Sequence, residues 1–532
     1  MTLGTATRST APERGGGAAA PSPAARRVRR RYPPALLGVS VGVALLALIP
    51  LFFVAAYTVS VGWDTVVALL WRPRVGELLW NTTRLALACM VLSAVVGTAA
   101  AWLVERSDLP GRRIWNVLLV VPLAIPAFVN SYGWVSITPA VEGYGGALLI
   151  VTLSYYPLVY LPVAAALRGL DPALEETANA LGHGRWRTFV RVVLPQLRPA
   201  MLGGALLVGL HLLAEFGALQ MLRFPTFTTA IYDQFESSFN GPAANMVAGV
   251  LVLCCLLLLL GELRLRGRAR YARLGAGSPR PATPSRLGVL GAPVLLAMAA
   301  LVTLALVVPL GALGYWLVTG SSASFPVAEL TSATLTSLGL AGAAALVTTV
   351  LALPVAWLCV RHPGPVGTVV ERATYFGNAL PGIVVALALV TIAIRYTPPL
   401  YQTVPLLVLA YAILFLPRAM VSVRSALAQV PPVLDDVAQA LGTGPAATMW
   451  RVTLPLIARG LGAGAALVFL AGVTELTATL LLSPTGTHTL ATEFWAGTSS
   501  ISYAGAAPYA ALMVLISAPA TYLLTREART AP

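Results

Sequence analysis

Glu175–Pro195 reads EETANALGHGRWRTFVRVVLP, and Asp435–Pro455 reads DDVAQALGTGPAATMWRVTLP. At a shift of 260 residues, ten of the 21 positions are identical and the two leading acids stay acidic. The match extends outward. Pro157 pairs with Pro417 and Glu215 with Glu475 at the same shift, while Trp102, Arg106 and Pro126 pair with Trp357, Arg361 and Pro381 at a shift of 255. The 532-residue chain therefore carries one unit twice. Whatever surrounds this stretch in one half must surround it in the other.

Those surroundings are apolar. The chain is 57% hydrophobic and only 10% charged, whereas soluble domains carry about 25% charged residues. Apolar runs long enough to cross ~30 Å of hydrocarbon lie near 35–59, 84–104, 114–137, 146–167, 200–222 and 244–261. Six more follow near 287–318, 335–360, 373–394, 404–423, 461–482 and 504–525. The expected fold is an all-α membrane protein of twelve transmembrane helices in two tandem sets of six. The first run is too long for a signal-peptide core and has no convincing cleavage site, so it is expected to remain as a span.

The basic residues orient the chain. No lysine occurs, so all 35 are arginine. With the N-terminus inside, 30 of them fall on the cytoplasmic side, and Arg72, Arg74, Arg84, Arg223 and Arg395 fall outside. Positive loops resist translocation, which favours an even number of spans and two cytoplasmic termini. The expected organisation is a disordered basic tail (1–33), a first unit (34–262), a basic linker (263–286), a second unit (287–526) and a short tail (527–532). The lack of lysine excludes a P-loop and Schiff-base chemistry, so energy for any work must come from a partner or a gradient. The four cysteines lie in apolar runs with neither metal spacing nor a disulfide framework.

The duplicated stretch lies between the fourth and fifth run of each set, in loops 171–199 and 431–459, where loops are ordinarily shorter. Glu175, Ala178 and Gly182 share one helical face at i, i+3, i+7, as do Asp435, Ala438 and Gly442. The acidic pairs Glu175-Glu176 and Asp435-Asp436 sit early in their helices, where the macrodipole favours them. Gly182 and Gly184, like Gly442 and Gly444, suit a tight turn at the helix end, and Pro445 suits the first turn of the next helix. Leu194-Pro195 and Leu454-Pro455 are expected to break the chain before the next span. Each copy then forms a helix–turn–helix elbow on the cytoplasmic side. Two elbows call for a partner with two equivalent sockets.

This pattern (acid, acid, any residue, alanine, then glycine four residues on and a distal Leu-Pro) resembles the EAA loop of binding-protein-dependent ABC importer permeases. The copies read EETA and DDVA, so a second acid stands where that family has alanine. The resemblance implies two tandem six-helix units of the type I, MetI-like kind. It implies coupling of Glu175, Glu176, Ala178, Gly182, Asp435, Asp436, Ala438 and Gly442 to two copies of an ATPase subunit. It further implies an extracytoplasmic solute-binding protein as partner and the bacterial cytoplasmic (inner) membrane as location, with neither cofactor nor nucleic acid. The fusion of two units is similar to ferric-iron importers and to thiamine importers. Leu212–Tyr232 (LLAEFGALQMLRFPTFTTAIY) and 121–129 (VPLAIPAFV) are similar to iron(III) permeases.

Glu215 and Glu475 are expected inside the fifth and eleventh spans. An acid at membrane depth costs a few kcal/mol and marks a pathway or a polar partner, so both are candidates for the substrate pathway. The alternative is a hydrogen bond to a neighbouring helix. His211 shares a face with Glu215 at i, i+4, but its counterpart is Ala471, and the other histidines cluster with nothing. No bound metal is expected. The acidic pairs point about 100° apart and do not form an acid/base couple. Glu105–Arg113 resembles a loop of major-facilitator transporters, yet it also reads as a short basic turn. A proton-coupled carrier using Glu215 and Glu475 is the main rival to an ATP-driven importer; an intramembrane enzyme lacks its motif.

Overall fold

The computed structural model describes residues 33–171, 173–238, 240–266, 284–320 and 326–530. The basic tail and most of the basic linker lie outside the described residues. Among the described residues the secondary structure is helical, apart from one isolated bridge between Ser107 and Ser285. Such a sequence has little choice: without water, backbone N–H and C=O groups must be satisfied within the segment.

Among the described residues nine helical stretches are apolar and long enough to span a membrane, including Pro34–Ser60, Pro73–Arg106, Val327–Arg361 and Val404–Gln429. The other three expected positions differ. The third is a bent pair, Arg112–Ala124 with Ala127–Val135, at 92°. The ninth and twelfth are shorter apolar helices, Gly382–Tyr396 and Tyr503–Pro519. The bends have a local cause. A residue before proline is pushed out of the helical region, and Ile125 and Leu380 are both extended, ahead of Pro126 and Pro381. In each half the proline then stands immediately before the next helix, as its N-cap residue.

Two expectations about the duplicated region need correction. Leu194-Pro195 and Leu454-Pro455 do not break the chain. A π-helical turn precedes each, at Phe189–Val193 and Met449–Thr453, and the helix runs on from Trp186 to Ala214 and from Met449 to Val473. The widened turn accommodates a ring that a regular α-turn would reject. The fifth and eleventh spans, for their part, end before the glutamates: the helices stop at Ala214 and Val473. Arg84, expected outside, lies well within Pro73–Arg106, with its guanidinium 4.7 Å from the Tyr144 ring centroid.

The halves are interleaved. Pro34–Ser60, from the first unit, packs on Val327–Arg361, Pro365–Tyr375 and Gly382–Tyr396 of the second. Reciprocally, Val308–Thr319 packs on Ala127–Val135. There Gly133 lies so close that a Cβ would fall 2.5 Å from the Pro309 Cα. Within the first unit, Gly97 and Gly204 admit the same residue from two sides: added Cβ atoms would fall 2.9 Å from the Val159 Cβ and 2.7 Å from the Val159 Cα. Small residues let backbones approach where lipid supplies no hydrophobic drive between helices.

Candidate functional site

The elbows form as the sequence requires. Ala173–Ala180 and Val433–Ala440 are the first helices, each with its acids in the first turn. Gly182 and Gly442 take φ of +82° and +87°. His183 and Thr443 then donate their backbone N–H to the carbonyls of Ala178 and Ala438, at 3.0 and 3.1 Å. This closes the turn with the left-handed glycine that favours such a stop. Pro445 opens the next helix of the second elbow, Pro445–Thr448.

The two acids of each pair part company. Glu175 and Asp435 turn inward. Arg361 Nε lies 2.9 Å from Asp435 Oδ2, and Arg106 Nη2 lies 3.3 Å from Glu175 Oε1. The arginines also donate to backbone carbonyls: Arg361 Nη1 to Val430 at 2.9 Å, and Arg106 Nη2 to Leu167 at 2.9 Å. Thr453 adds an O–H bond to Asp435 Oδ1 at 2.8 Å. Each arginine, at the end of a long span, thus ties the start of the elbow to the helix before it. Glu176 and Asp436 stay on the exposed side. Ala178 and Ala438 are buried, whereas Leu181 and Leu441 stand out at 74% and 81% exposure. The motif does not single out these leucines at the tips of the turns, and in sequence the latch arginines stand out only as a repeat-matched pair.

Glu215 and Glu475 sit at matching helix breaks. Glu215 is extended after Ala214, and its Oε1 accepts the Ala218 N–H at 3.0 Å, in the first turn of Gly217–Met221. Glu475 Oε1 accepts from Ala478 at 3.0 Å, ahead of Thr477–Leu482. A carboxylate at a helix N-terminus satisfies an orphan donor and meets the positive end of the dipole. Threonines brace the break: Thr228 donates to the Glu215 carbonyl at 2.7 Å and Thr479 to the Glu475 carbonyl at 2.6 Å. Tyr155 donates to Glu215 Oε2 at 2.5 Å. The two breaks lie against each other, since a Cβ on Gly217 would fall 2.9 Å from Leu476 Cδ2.

His211 packs its ring 5.5 Å from Tyr155 and bonds through Nδ1 to the Leu207 carbonyl at 2.9 Å. Among the described residues no group of three or more His, Cys, Asp or Glu side chains gathers as for a metal. Arg418, expected among the cytoplasmic arginines, lies instead in the middle of Val404–Gln429, within electrostatic reach of Glu475 and 5.1 Å from the Phe415 ring. A lone arginine in an apolar run was the available signal.

At the end of the bundle away from the elbows, a cavity of about 360 Å³ opens between the halves. Pro73–Arg106 fixes this polarity. Its C-terminal residue Arg106 holds the elbow, while near its start Asn81 donates to the Pro225 carbonyl and Thr82 accepts from the Phe227 N–H. The cavity is lined from one half by Glu142, Gln220 and Arg223 and from the other by Trp495, Thr498 and Ile501. Beside it, burial holds the Asp233 carboxyl above the usual carboxylate range, against the opposing effects of Gln220 and Arg74.

The sequence matches the family of binding-protein-dependent transport system inner membrane components twice, over residues 93–266 and 348–526. The chain belongs to this family. The Fe(3+)-transport system permease protein FbpB 2 of Haemophilus influenzae is 39% identical over 506 residues, 94% of this chain and 99% of that protein. The sulfate transport permease CysT of Escherichia coli is 28% identical over 42% of this chain, and the molybdenum transport permease ModB of the same species 29% identical over 37%. The last two cover about one unit, as expected for relatives that carry it once. The chain is a fused two-unit permease of the ABC importer class, and its role is translocation across the membrane.

Proposed function

We propose that this permease moves iron(III) from an extracytoplasmic binding protein into the cytoplasm, driven by two copies of a separate ATPase subunit. The observation that carries the substrate is the similarity to an iron(III) permease along nearly the whole chain, fusion included. The twin elbows support the motor. Each has an exposed leucine tip, a glycine turn and an internally latched first acid, which leaves Glu176 and Asp436 as the acids on the outer face. Both chain termini and both elbows then face the cytoplasm, as the arginine bias supports. Closing of the ATPases on ATP pushes both elbows. The latches pass the push to the long spans, and the pathway opens alternately to each side. Only differential contact with the two ATPase states supplies the bias.

In this reading Glu215 and Glu475 line the pathway at the centre of the repeat. Their carboxylates are hard oxygen donors suited to a hard cation, and their placement at helix breaks leaves polar backbone nearby. The test is reconstitution with ATPase and binding protein in liposomes. Iron-loaded binding protein should stimulate ATP hydrolysis and uptake, and thiamine-loaded protein should not. The reverse result would sink the iron assignment, and uptake driven by a pH gradient without the ATPase would sink the importer reading.

A further inference from the structure

The second half carries a charge that the first lacks. At the 260-residue shift Arg418 stands where the first half has Leu158, Phe415 where it has Tyr155, and Ala471 where it has His211. The two glutamates therefore meet different partners. Glu215 receives the Tyr155 hydroxyl and the Ala218 N–H. Glu475 receives the Ala478 N–H, and a Cβ on Gly382 would fall 3.0 Å from its Oε1, so the start of Gly382–Tyr396 also faces it. To this Arg418 adds a full positive charge within electrostatic reach.

These groups share one space between the halves. Glu475 is within electrostatic reach of Glu215, and Arg418 of His211. Val404–Gln429 is the most enclosed of the nine spans among the described residues, with 78% of its apolar stretch inside the protein. Yet Arg418 on it is exposed, and Glu215, Glu475 and His211 are half-buried. The guanidinium thus opens on a hollow inside the bundle; facing lipid at this depth, it would carry its charge into hydrocarbon. A pathway must bind its cargo well enough to admit it and weakly enough to let it leave. Two hard carboxylates in a space of low dielectric hold a trivalent cation too firmly for that. We propose that Arg418 is a tethered competitor for Glu475. It keeps one of the two acids occupied, leaves Glu215 as the acid the cargo meets first, and retakes Glu475 as iron(III) passes, so that the ion is released. Arg418 acts through Glu475 and is a positioning residue. This rests on the reading of both glutamates as pathway residues for iron(III).

Two measurements on the permease with its ATPase provide the test. In lipid nanodiscs, iron(III) buffered by citrate is added and washed away, and the iron retained is counted. In liposomes, iron-loaded binding protein reports uptake. Arg418→Gln should retain about one iron(III) per chain where the parent retains less than about a tenth, and its uptake should fall at least tenfold. Arg418→Lys, which keeps the charge, should resemble the parent. Glu475→Gln leaves Arg418 unopposed in front of an incoming cation; it should retain no iron and also lose uptake at least tenfold. The charge-balanced pair Arg418→Gln with Glu475→Gln should retain no iron and recover uptake to within about threefold of the parent. Retention by Arg418→Gln no higher than the parent's, or a double variant that transports no better than Glu475→Gln alone, would overturn the competitor. The second comparison decides even where Arg418→Gln alone does not fold. If Glu215→Gln and Glu475→Gln both transport at the parental rate, the pathway reading fails instead.

Discussion

Arg361 and Arg106 do the same job with unequal security. The Arg361–Asp435 pair is closed to solvent on both sides, at 5% and 9% side-chain exposure, whereas Glu175 opposite Arg106 is 27% exposed. Removing one partner of a buried pair leaves an uncompensated charge and costs about 3–5 kcal/mol, while a partly solvated pair costs less because water screens the orphan. Arg361→Gln should therefore lower the melting temperature of the purified permease clearly more than Arg106→Gln, and it should loosen the second elbow from the ATPase. Equal shifts in thermal unfolding would refute the inequality. The difference was not legible in EETA against DDVA. Both acids of a pair look alike in sequence, and only the position of the arginine a span away decides which one turns inward. The repeat match of Arg106 with Arg361 was legible, but its meaning needed the third dimension.

At the scale of elements, periodicity and turn chemistry predicted well where one segment decides its own fate. Nine of the twelve expected spans, the left-handed Gly182 and Gly442 and the helix opened by Pro445 all follow from local rules. Prediction failed where a neighbour decides. Glu215 ends its span because the next short helix needs an acceptor for Ala218, and hydropathy alone runs straight through Leu212–Leu222. The Leu-Pro pairs failed as breakers because a π-turn absorbs the ring. Two expectations follow. Gly204→Val drives side-chain atoms into the Val159 backbone, a clash that begins 2.7 Å away; overpacking of this kind costs roughly 1–3 kcal/mol, visible as a lower melting temperature in detergent. Gly182→Trp with Gly442→Trp adds bulk at turns that have open space around them and a φ that side chains resist. The double variant should insert normally and lose the ATPase on co-purification; retention of the ATPase would refute the coupling role of the elbows.

For the whole molecule, the informative feature is that each half is incomplete without the other. Pro34–Ser60 buries Val43, Ala44 and Ala47 in a cluster built largely from second-half residues such as Val384, Ile413 and Leu416. Val302, Ala305 and Leu306 join the first half's cluster in return. A push on one elbow therefore cannot move six helices as an isolated block, because the first span of each unit travels with the other. Cutting this chain within 267–283, between the halves, should accordingly leave a functional pair. Fragments 1–275 and 276–532, co-expressed, should co-purify and support uptake, whereas a first fragment lacking 34–60 should fail to hold the second. Separate elution of the two intact fragments would mean that the linker, rather than the exchanged spans, binds the halves together.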